Sequence, residues 1–518
     1  MRRRVRDGVG LPLTRDKFCL SAIAIATALT LLRLLVAGGV DLLPEEAYYW
    51  AYSKHPALGY FDHPPMVAWT IRVGTALLGD TERGVRFVNT LLWIGSCAFL
   101  WLTGRMWFGE RAASGAALLF SALPIFMGIG FIVTPDGSLV FFWVLTLYAV
   151  SKALHSERSA CWLLAGAAFG GALLSKYSAV LLAASLLPFL LFSPKHRRWL
   201  ARPHPWLALI VALAVFSPVI VWNAQHQWAS FAYQSSRASS GKGNAWMQAG
   251  LFWLVQLGIL TPPLFFLLAM AAARGIKRGW VERQDNWDFV AAFSLPLFCL
   301  FALASFRTEV HVNWTAPAFL SLALGGAPIW LAGADDPNLK RAQRWRVGAW
   351  LTAALCVGIL AAAHLNLLFG KPKVFAYSRV GGWRELAAQV GTARTELSKR
   401  TGREAFVLGA DKYNIAAELG FYLHDTEGTV NTYAIGERGL GYRFWTDLKK
   451  FEGLPAVAVM FNVNEATLQG LRAHFDRLDE PREVHINANA RRWRSVYLVN
   501  CYGYSIEQHA LTDGAAGL

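Results

Sequence analysis

Apolar runs recur along this chain at about 18–40, 84–104, 112–132, 137–151, 160–174, 177–193, 206–222, 247–271, 288–306, 313–332 and 347–369. A bilayer's hydrocarbon core needs roughly 20 apolar residues in helical form. Several of these runs are shorter, and 160–193 is one long run broken only by "SKY". The pattern predicts about eleven spans. Backbone polar groups inside a membrane must be satisfied within the segment, so the spans are helices. Composition agrees: 16% of the 518 residues are charged, against roughly a quarter in soluble domains. The expected fold class is therefore mainly α, a polytopic transmembrane bundle.

The formal charge of +16 would suggest nucleic acid in a soluble protein. Here the Lys and Arg residues concentrate in short loops such as "PKHRRWLARPH", "ARGIKRGWVERQ" and "NLKRAQRWR". That is the positive-inside pattern, and no nucleic-acid partner is expected. With the N-terminus placed in the cytoplasm, inside loops hold about 22 basic residues and outside loops about 8. The basic start "MRRRVRDGVGLPLTRDKF" reads as a cytoplasmic tail, not a removed signal peptide. Five of the cysteines lie in apolar runs and Cys501 is alone, so no disulfide framework is expected.

An odd number of spans places residues 370–518 outside as well, beyond a transmembrane region of 1–369. The patterning changes there. "AFVLGA" reads as a strand, "DKYNIAAELGFYL" as a helix, and "AVAVMFNV" and "SVYLVNCYGY" as strands. A small soluble α/β domain is expected.

The outward segments share a chemistry. They carry Glu45, Glu46, Asp62, His63, Asp136, Lys176, Asn223, His226, Arg237, Arg307, Glu309 and His311. Ionisable groups near the hydrocarbon are costly unless paired or hydrated. Their common side predicts one polar cavity at the outer interface. Within the outer loop 41–83, "PEEAYYWAYSKH" has Pro44 at a first helical position and glutamates in a first turn. It reads as an interfacial helix with aromatics at headgroup depth. The plainer role for Glu45 and Glu46 is stabilising that helix start. In "GYFDHPPMVAW", successive prolines hold Asp62 and His63 in an extended turn. Lys176 and Arg307 suit an anionic headgroup, the bland alternative being snorkelling to lipid phosphates. Arg307, Glu309, His311 and Asn313 alternate, which predicts one polar face of an extended strand.

The motifs "PEEAYYWAYS", "GYFDHPPMVAW", "TPDGSLVFFW", "LLSKYSAVLL", "VWNAQHQWASF" and "VHVNWTAPAF" occur in an order that resembles one family. It is the GT-C membrane glycosyltransferases of glycosyltransferase family 39. These are bacterial relatives of protein O-mannosyltransferases and of the aminoarabinose transferase that modifies lipid A. The resemblance covers roughly residues 20–330. It extends more loosely to "DKYNIAAELGFYL" and "GYRFWTDLKKFEGLPAVAVMF".

The resemblance implies a polyprenyl-phosphate-linked sugar donor and a periplasm-facing site in a bacterial inner membrane. The acceptor would be lipid A, another glycan or a protein. The family's acidic pair usually begins with Asp, where this chain has Glu45, followed by Glu46. Glu45 and Asp62 are thus the implied catalytic carboxylates. Substrate contacts are expected from Glu46, His63, Asp136, Lys176, Asn223, His226, Arg237, Arg307 and His311. The lipid A transferase has a Glu-Lys pair where this chain has Asp62-His63, so lipid-phosphate binding passes to Lys176, Arg237 or Arg307. No cofactor is required. Asp62 and His311 are candidate ligands should a divalent metal bind. A transporter or lipid flippase is the competing class, and a scaffold that binds polyprenyl lipid without catalysis is a third. A transporter would set its ionisable groups mid-helix and show matching inverted halves.

Overall fold

The apolar runs fold as helices. The computed structural model describes residues 17–239, 244–369, 381–410, 413–425, 428–431, 440–488 and 491–506. Its membrane region comprises α1 (Lys17–Val36), α2 (Pro44–Lys54), α3 (Met66–Leu78), α4 (Glu82–Phe108), α5 (Glu110–Ala122), α6 (Pro124–Phe131), α7 (Pro135–Ser156), α8 (Ala160–Ser175) and α9 (Val180–Phe192). It continues with α10 (Pro203–Gln225), α11 (Ala229–Ser239), α12 (Ala245–Leu260), α13 (Pro262–Arg274), α14 (Asp285–Ala292), α15 (Leu295–Ala304), α16 (Ala316–Ala334) and α17 (Leu339–Phe369).

Apolar runs and crossings do not correspond one to one. Among the described residues, six helical segments are long and apolar enough to cross a membrane, or up to eight if each bent pair is one span. The run at 112–132 bends by 67° between α5 and α6, and the run at 247–271 bends by 107° between α12 and α13. A proline at the first position of the second helix marks both breaks, where the missing N–H interrupts the ladder. The 160–193 run is likewise two short helices, parted at Lys176.

Small residues let these helices approach closely. A Cβ on Gly84 of α4 would lie 2.1 Å from the Gly79 carbonyl oxygen, and one on Gly74 of α3 would lie 2.2 Å from the Gly84 carbonyl oxygen. The α3–α4 hairpin therefore needs glycine at both positions.

The C-terminal part has α18 (Trp383–Thr401), α19 (Tyr413–Tyr422) and α20 (Glu465–His474) around a sheet. Its strands are β1 (Phe406–Gly409), β2 (Thr429–Asn431), β3 (Ala456–Met460), β4 (Phe475–Leu478), β5 (Arg482–Ala488) and β6 (Arg491–Tyr504). The order is β2-β1-β3-β6-β4, with β5 also on β6. β1 runs parallel to β2 and β3, whereas β6 is antiparallel to β3, β4 and β5. Alternation sorts the side chains. Val407, Val457, Val459 and Leu498 pack with Trp383, Leu386 and Val390 of α18. Phe406, Leu408, Ala458 and Val499 pack with Leu468 and Leu471 of α20. The three strands expected from "AFVLGA", "AVAVMFNV" and "SVYLVNCYGY" are β1, β3 and β6. Asp411 and Lys412 of the expected helix lie outside the described residues.

A buried ion pair fixes how the outer segments meet the bundle. Arg86 of α4 is 1% exposed and Glu46 of α2 is 0% exposed. Arg86 Nε donates to Glu46 Oε1 at 2.9 Å and Nη2 donates to Oε2 at 2.5 Å. Nη1 donates to the carbonyls of Ala37 and Val40, both at 2.8 Å, and Nη2 to that of Asp41 at 3.0 Å. Glu46 also accepts from the backbone N–H groups of Leu43 and Val133, both at 3.0 Å. Every N–H of the guanidinium has a partner. The network joins the segment after α1, the start of α2, the body of α4 and the approach to α7. Removing one partner of such a pair strands a buried charge, at a cost of about 3–5 kcal/mol. Arg86→Met and Glu46→Gln, each leaving the other charge buried without its partner, should both lower the apparent melting temperature in detergent markedly. Equal melting of Arg86→Met and wild type would remove the pair from its structural role.

Candidate active site

The helix α2 lies between α3 and the C-terminal part, and its aromatic side chains are buried. Tyr48, Tyr49, Trp50 and Tyr52 are 7% exposed or less. This corrects the expectation of aromatics at headgroup depth: the sheet-bearing part covers them instead. Trp50 meets Phe421 of α19 edge to face at 5.0 Å. The Tyr48 hydroxyl accepts from the Gly441 N–H at 2.9 Å.

Helical spacing of four residues brings Tyr48 and Tyr52 to one face, and both point at Asp62. The Tyr48 hydroxyl donates to Asp62 Oδ1 at 3.3 Å, and the Tyr52 hydroxyl donates to the same oxygen. Gln234 of α11 donates to the Asp62 backbone carbonyl at 2.5 Å. Tyr60 fastens the loop from behind by donating to the Tyr52 carbonyl at 2.9 Å. Pro65 ends the loop as the residue before α3.

Opposite stands a second group. Asp136 sits in the first turn of α7 behind Pro135, where the helix dipole favours a carboxylate. Lys176 Nζ donates to Asp136 Oδ1 at 2.8 Å and Asn313 Nδ2 to Oδ2 at 2.6 Å. Lys176 caps α8 in extended backbone before a 3-10 turn at Tyr177–Ala179. That break in the apolar run delivers its ammonium to Asp136.

Tyr49 joins the two groups. Burial first, then the charge of Asp62, pushes its hydroxyl well above the ordinary tyrosine range, with Tyr413, Glu45 and Asp136 adding to the rise. Its ring meets that of His63 edge to face at 5.7 Å. The charges of Asp62, Glu45 and Asp136 thus bear on one buried tyrosine, His63 meets its ring, and Lys176 is joined to the group through Asp136. The arrangement offers half-buried Glu45 as a proton acceptor. It also offers Lys176, whose ammonium donates to Asp136 among the described residues.

Other expected residues take different places. Glu46 does not face a substrate, because both its oxygens are taken by Arg86 and backbone amides. Asn223 is wholly buried and braces the turn after α10: it donates to the Val219 carbonyl at 3.0 Å and accepts from the Phe231 N–H at 3.3 Å. Arg307 and His311 are exposed. The strand expected at 307–313 is absent: the segment is turn and coil, and Asn313 lies in a 3-10 helix at Val312–Thr315. Asn313 of the four alternating residues donates to Asp136, and the helical turn breaks the period of two. The Arg237 side chain lies outside the described residues. His226 lies in a neighbouring cavity of about 460 Å³, walled by loop 54–61, the end of α10 and residues 444–445. Asp62 and His311 join no group of three or more acidic, histidine or cysteine residues that could hold a metal ion, among the described residues.

Sequence reasoning missed three features. Arg86 was visible as a lone arginine early in an apolar run, which ordinarily signals a buried partner. Arg384 of α18 reaches Asp41 at 3.2 Å and also bonds Glu82, a pairing across some 340 residues that no local pattern shows. Glu418 of α19 is wholly buried, and neither carboxyl oxygen has a hydrogen-bond partner among the described residues. Burial, then the charges of Asp41, Glu46 and Glu45, hold its pKa well above the ordinary carboxyl range.

Residues 62–222 match the family described as dolichyl-phosphate-mannose-protein mannosyltransferase. The chain is 26% identical to the lipid A galacturonosyltransferase RgtD of Rhizobium johnstonii, across 81% of this chain and 86% of that one. It is 28% identical to the undecaprenyl phosphate-alpha-4-amino-4-deoxy-L-arabinose arabinosyl transferase of Pseudomonas savastanoi, across 61% of this chain and 60% of that one. Among solved structures, ArnT of Cupriavidus metallidurans bound to undecaprenyl phosphate superposes with a TM-score of 0.64 at 18% identity, covering 94% of this chain and 98% of that one. The fold is the one shared with ArnT, bundle and C-terminal sheet together.

The raised Glu418 group gives a pH test. A carboxyl held protonated in the fold contributes stability that is full below its unfolded pKa and fades as pH rises through the folded value. Glu418→Gln should flatten the loss of thermal stability between mildly acidic and alkaline pH. Parallel melting curves for variant and wild type across that range would show that Glu418 is not the titrating group.

Proposed function

We propose that this chain is a working membrane glycosyltransferase of the ArnT type. It moves a sugar from a polyprenyl-phosphate carrier, such as an undecaprenyl phosphate, to an envelope acceptor of the lipid A class or a related glycan or protein. The observation that carries this reading is that Glu45, Asp62 and Asp136, the last paired with Lys176, all act electrostatically on the buried Tyr49 of the helix that the C-terminal part covers. The groups lie at one end of the bundle, in loops and helix ends. That placement suits chemistry at an interface better than a transport path, which would place them mid-span.

The orientation takes the N-terminus in the cytoplasm from the loop charges; the site follows α1 and the C-terminal part packs on α2, so both lie on the periplasmic side of the inner membrane. The donor's isoprenoid chain lies in the bilayer and its phosphate meets the Lys176 ammonium, which stabilises the leaving group as charge develops. An acceptor oxygen attacks the anomeric carbon. The new carbon–oxygen bond forms as the bond to the carrier phosphate breaks, with inversion. Glu45 takes the acceptor's proton, and polyprenyl phosphate departs. Asp62, held by two tyrosine hydroxyls, orients the sugar. The displacement uses only side chains of this protein.

General-base assistance is worth about 10²–10⁴-fold. Glu45→Gln should lower single-turnover transfer from a polyprenyl-phosphate sugar by that order, with donor affinity retained. Wild-type turnover in the variant would move the base elsewhere. Lys176→Ala should weaken donor binding more than it slows the bound complex, and undiminished donor affinity would take Lys176 out of the phosphate site.

A further inference from the structure

A cavity of about 320 Å³ lies at the end of the bundle opposite the acidic site, between α5, α13, α16 and α17. Trp330 of α16 lines it, roughly 20 Å along that helix from the turn where Asn313 meets Asp136. The cavity is therefore no part of the acidic site.

α17 is seated on α16 at its basic start. Trp345 packs on Gly333, where a Cβ would lie 2.3 Å from the indole, and Arg346 Nε donates to the Ala334 carbonyl at 3.0 Å. From there the cavity follows α17 between Arg344 and Cys356, a rise of roughly 18 Å. That is close to one leaflet's half of a hydrocarbon core of about 30 Å. The walls are mainly aliphatic and aromatic, among them Leu119, Leu264 and Leu267. Packed interiors do not leave such gaps, and an apolar cavity does not hold water. In a bilayer, hydrocarbon fills it. Phe266 of α13 and Leu351 of α17 are exposed on the helices that flank the opening.

The mouth of the groove carries charge of one sign. Arg344 lines it, is exposed, and among the described residues enters no hydrogen bond or ion pair. Lys340, Arg341 and Arg346 are exposed on the same helix start. The two acids just before α17 are engaged elsewhere: Asp335 pairs with Arg111 at 2.7 Å, and Asp336 accepts from the Asn338 N–H at 2.8 Å. No carboxylate lines the groove.

We propose that this groove is a lipid site, taking one acyl chain of an anionic phospholipid whose phosphate sits on Arg344. A guanidinium fork matches phosphate oxygens. A zwitterionic lipid offers the same phosphate but brings a cation among Lys340, Arg341, Arg344 and Arg346, which opposes it. The bound chain splints α17, the helix that leads to the C-terminal part, against α5 and α13.

The test titrates delipidated full-length protein in detergent with phosphatidylglycerol and with phosphatidylcholine of the same chains, counting bound lipid by native mass spectrometry. Wild type should hold one phosphatidylglycerol about tenfold more tightly than phosphatidylcholine, as a charge-assisted hydrogen bond supports. Arg344→Gln should bring the two lipids to equal affinity, whereas Arg341→Gln, outside the groove, should keep most of the preference. Gly348 gives an independent handle. It lines the groove, and a Cβ there meets no atom within 4 Å. Gly348→Leu therefore fills the groove from open space and should abolish one-to-one binding of both lipids. Unchanged binding in Gly348→Leu, or equal loss of preference in Arg344→Gln and Arg341→Gln, overturns the site. Displacement of the phospholipid by an equal concentration of undecaprenyl phosphate would overturn it as well, by giving the groove to the sugar carrier.

Discussion

The arrangement depends on one charge pair placed where water does not reach. Burying Arg86 and Glu46 is expensive unless geometry and hydrogen bonds compensate. Here they do, since the guanidinium spends its N–H groups on Glu46 and three backbone carbonyls. Those carbonyls belong to the link between α1 and α2, and a Glu46 oxygen holds the Val133 amide just before α7. The same pair thus sets the entry angle of α2, which bears Glu45, Tyr49 and Tyr52, and the start of α7, which bears Asp136. Glu45 and Glu46 are adjacent in sequence but point to different duties. Glu46 anchors the helix, and Glu45 is left for the proposed proton transfer.

That division explains what the sequence could and could not reveal. Hydrophobic runs mark helices because the bilayer imposes a composition on every spanning segment. They do not mark bends, since Pro124 and Pro262 look like ordinary first-turn prolines on either reading. The strands β1, β3 and β6 were legible because both faces or alternate faces are buried. β5 and β4 were not, because they carry charge on their open faces. In the site, Glu45, Asp62, Asp136 and Lys176 stood out as charges hard against apolar runs. Glu46 and Asn223 stood out in the same way, and there a polar residue in the same kind of place satisfies backbone groups. Sequence alone cannot separate these cases, because the deciding partner (Arg86 for Glu46, the Phe231 amide for Asn223) is set by tertiary packing.

The alternating Arg307–Asn313 pattern failed for another reason. A period of two predicts a face only if the backbone is extended. The chain instead turns after α15 and enters a 3-10 helix before Pro317. One residue of the set, Asn313, still arrives at Asp136, carried there by the helical turn.

The C-terminal part is an element of the site and not an appendage. α19 supplies Tyr422, which donates to Glu82 at 3.1 Å and accepts from the Leu42 N–H at 2.9 Å. One turn earlier it inserts Glu418 against Asp41, Glu45 and Glu46. A charged carboxylate there would meet three others with one arginine already engaged. The close fit of α19 on α2 therefore requires Glu418 to keep its proton. Trp445 and Phe444 from the same part wall the neighbouring cavity. The covering that makes the tyrosines of α2 dry also completes the space beside them. In this way the sheet-bearing C-terminal part, bound through α19, lowers the local dielectric around the acidic cluster and strengthens each hydrogen bond within it.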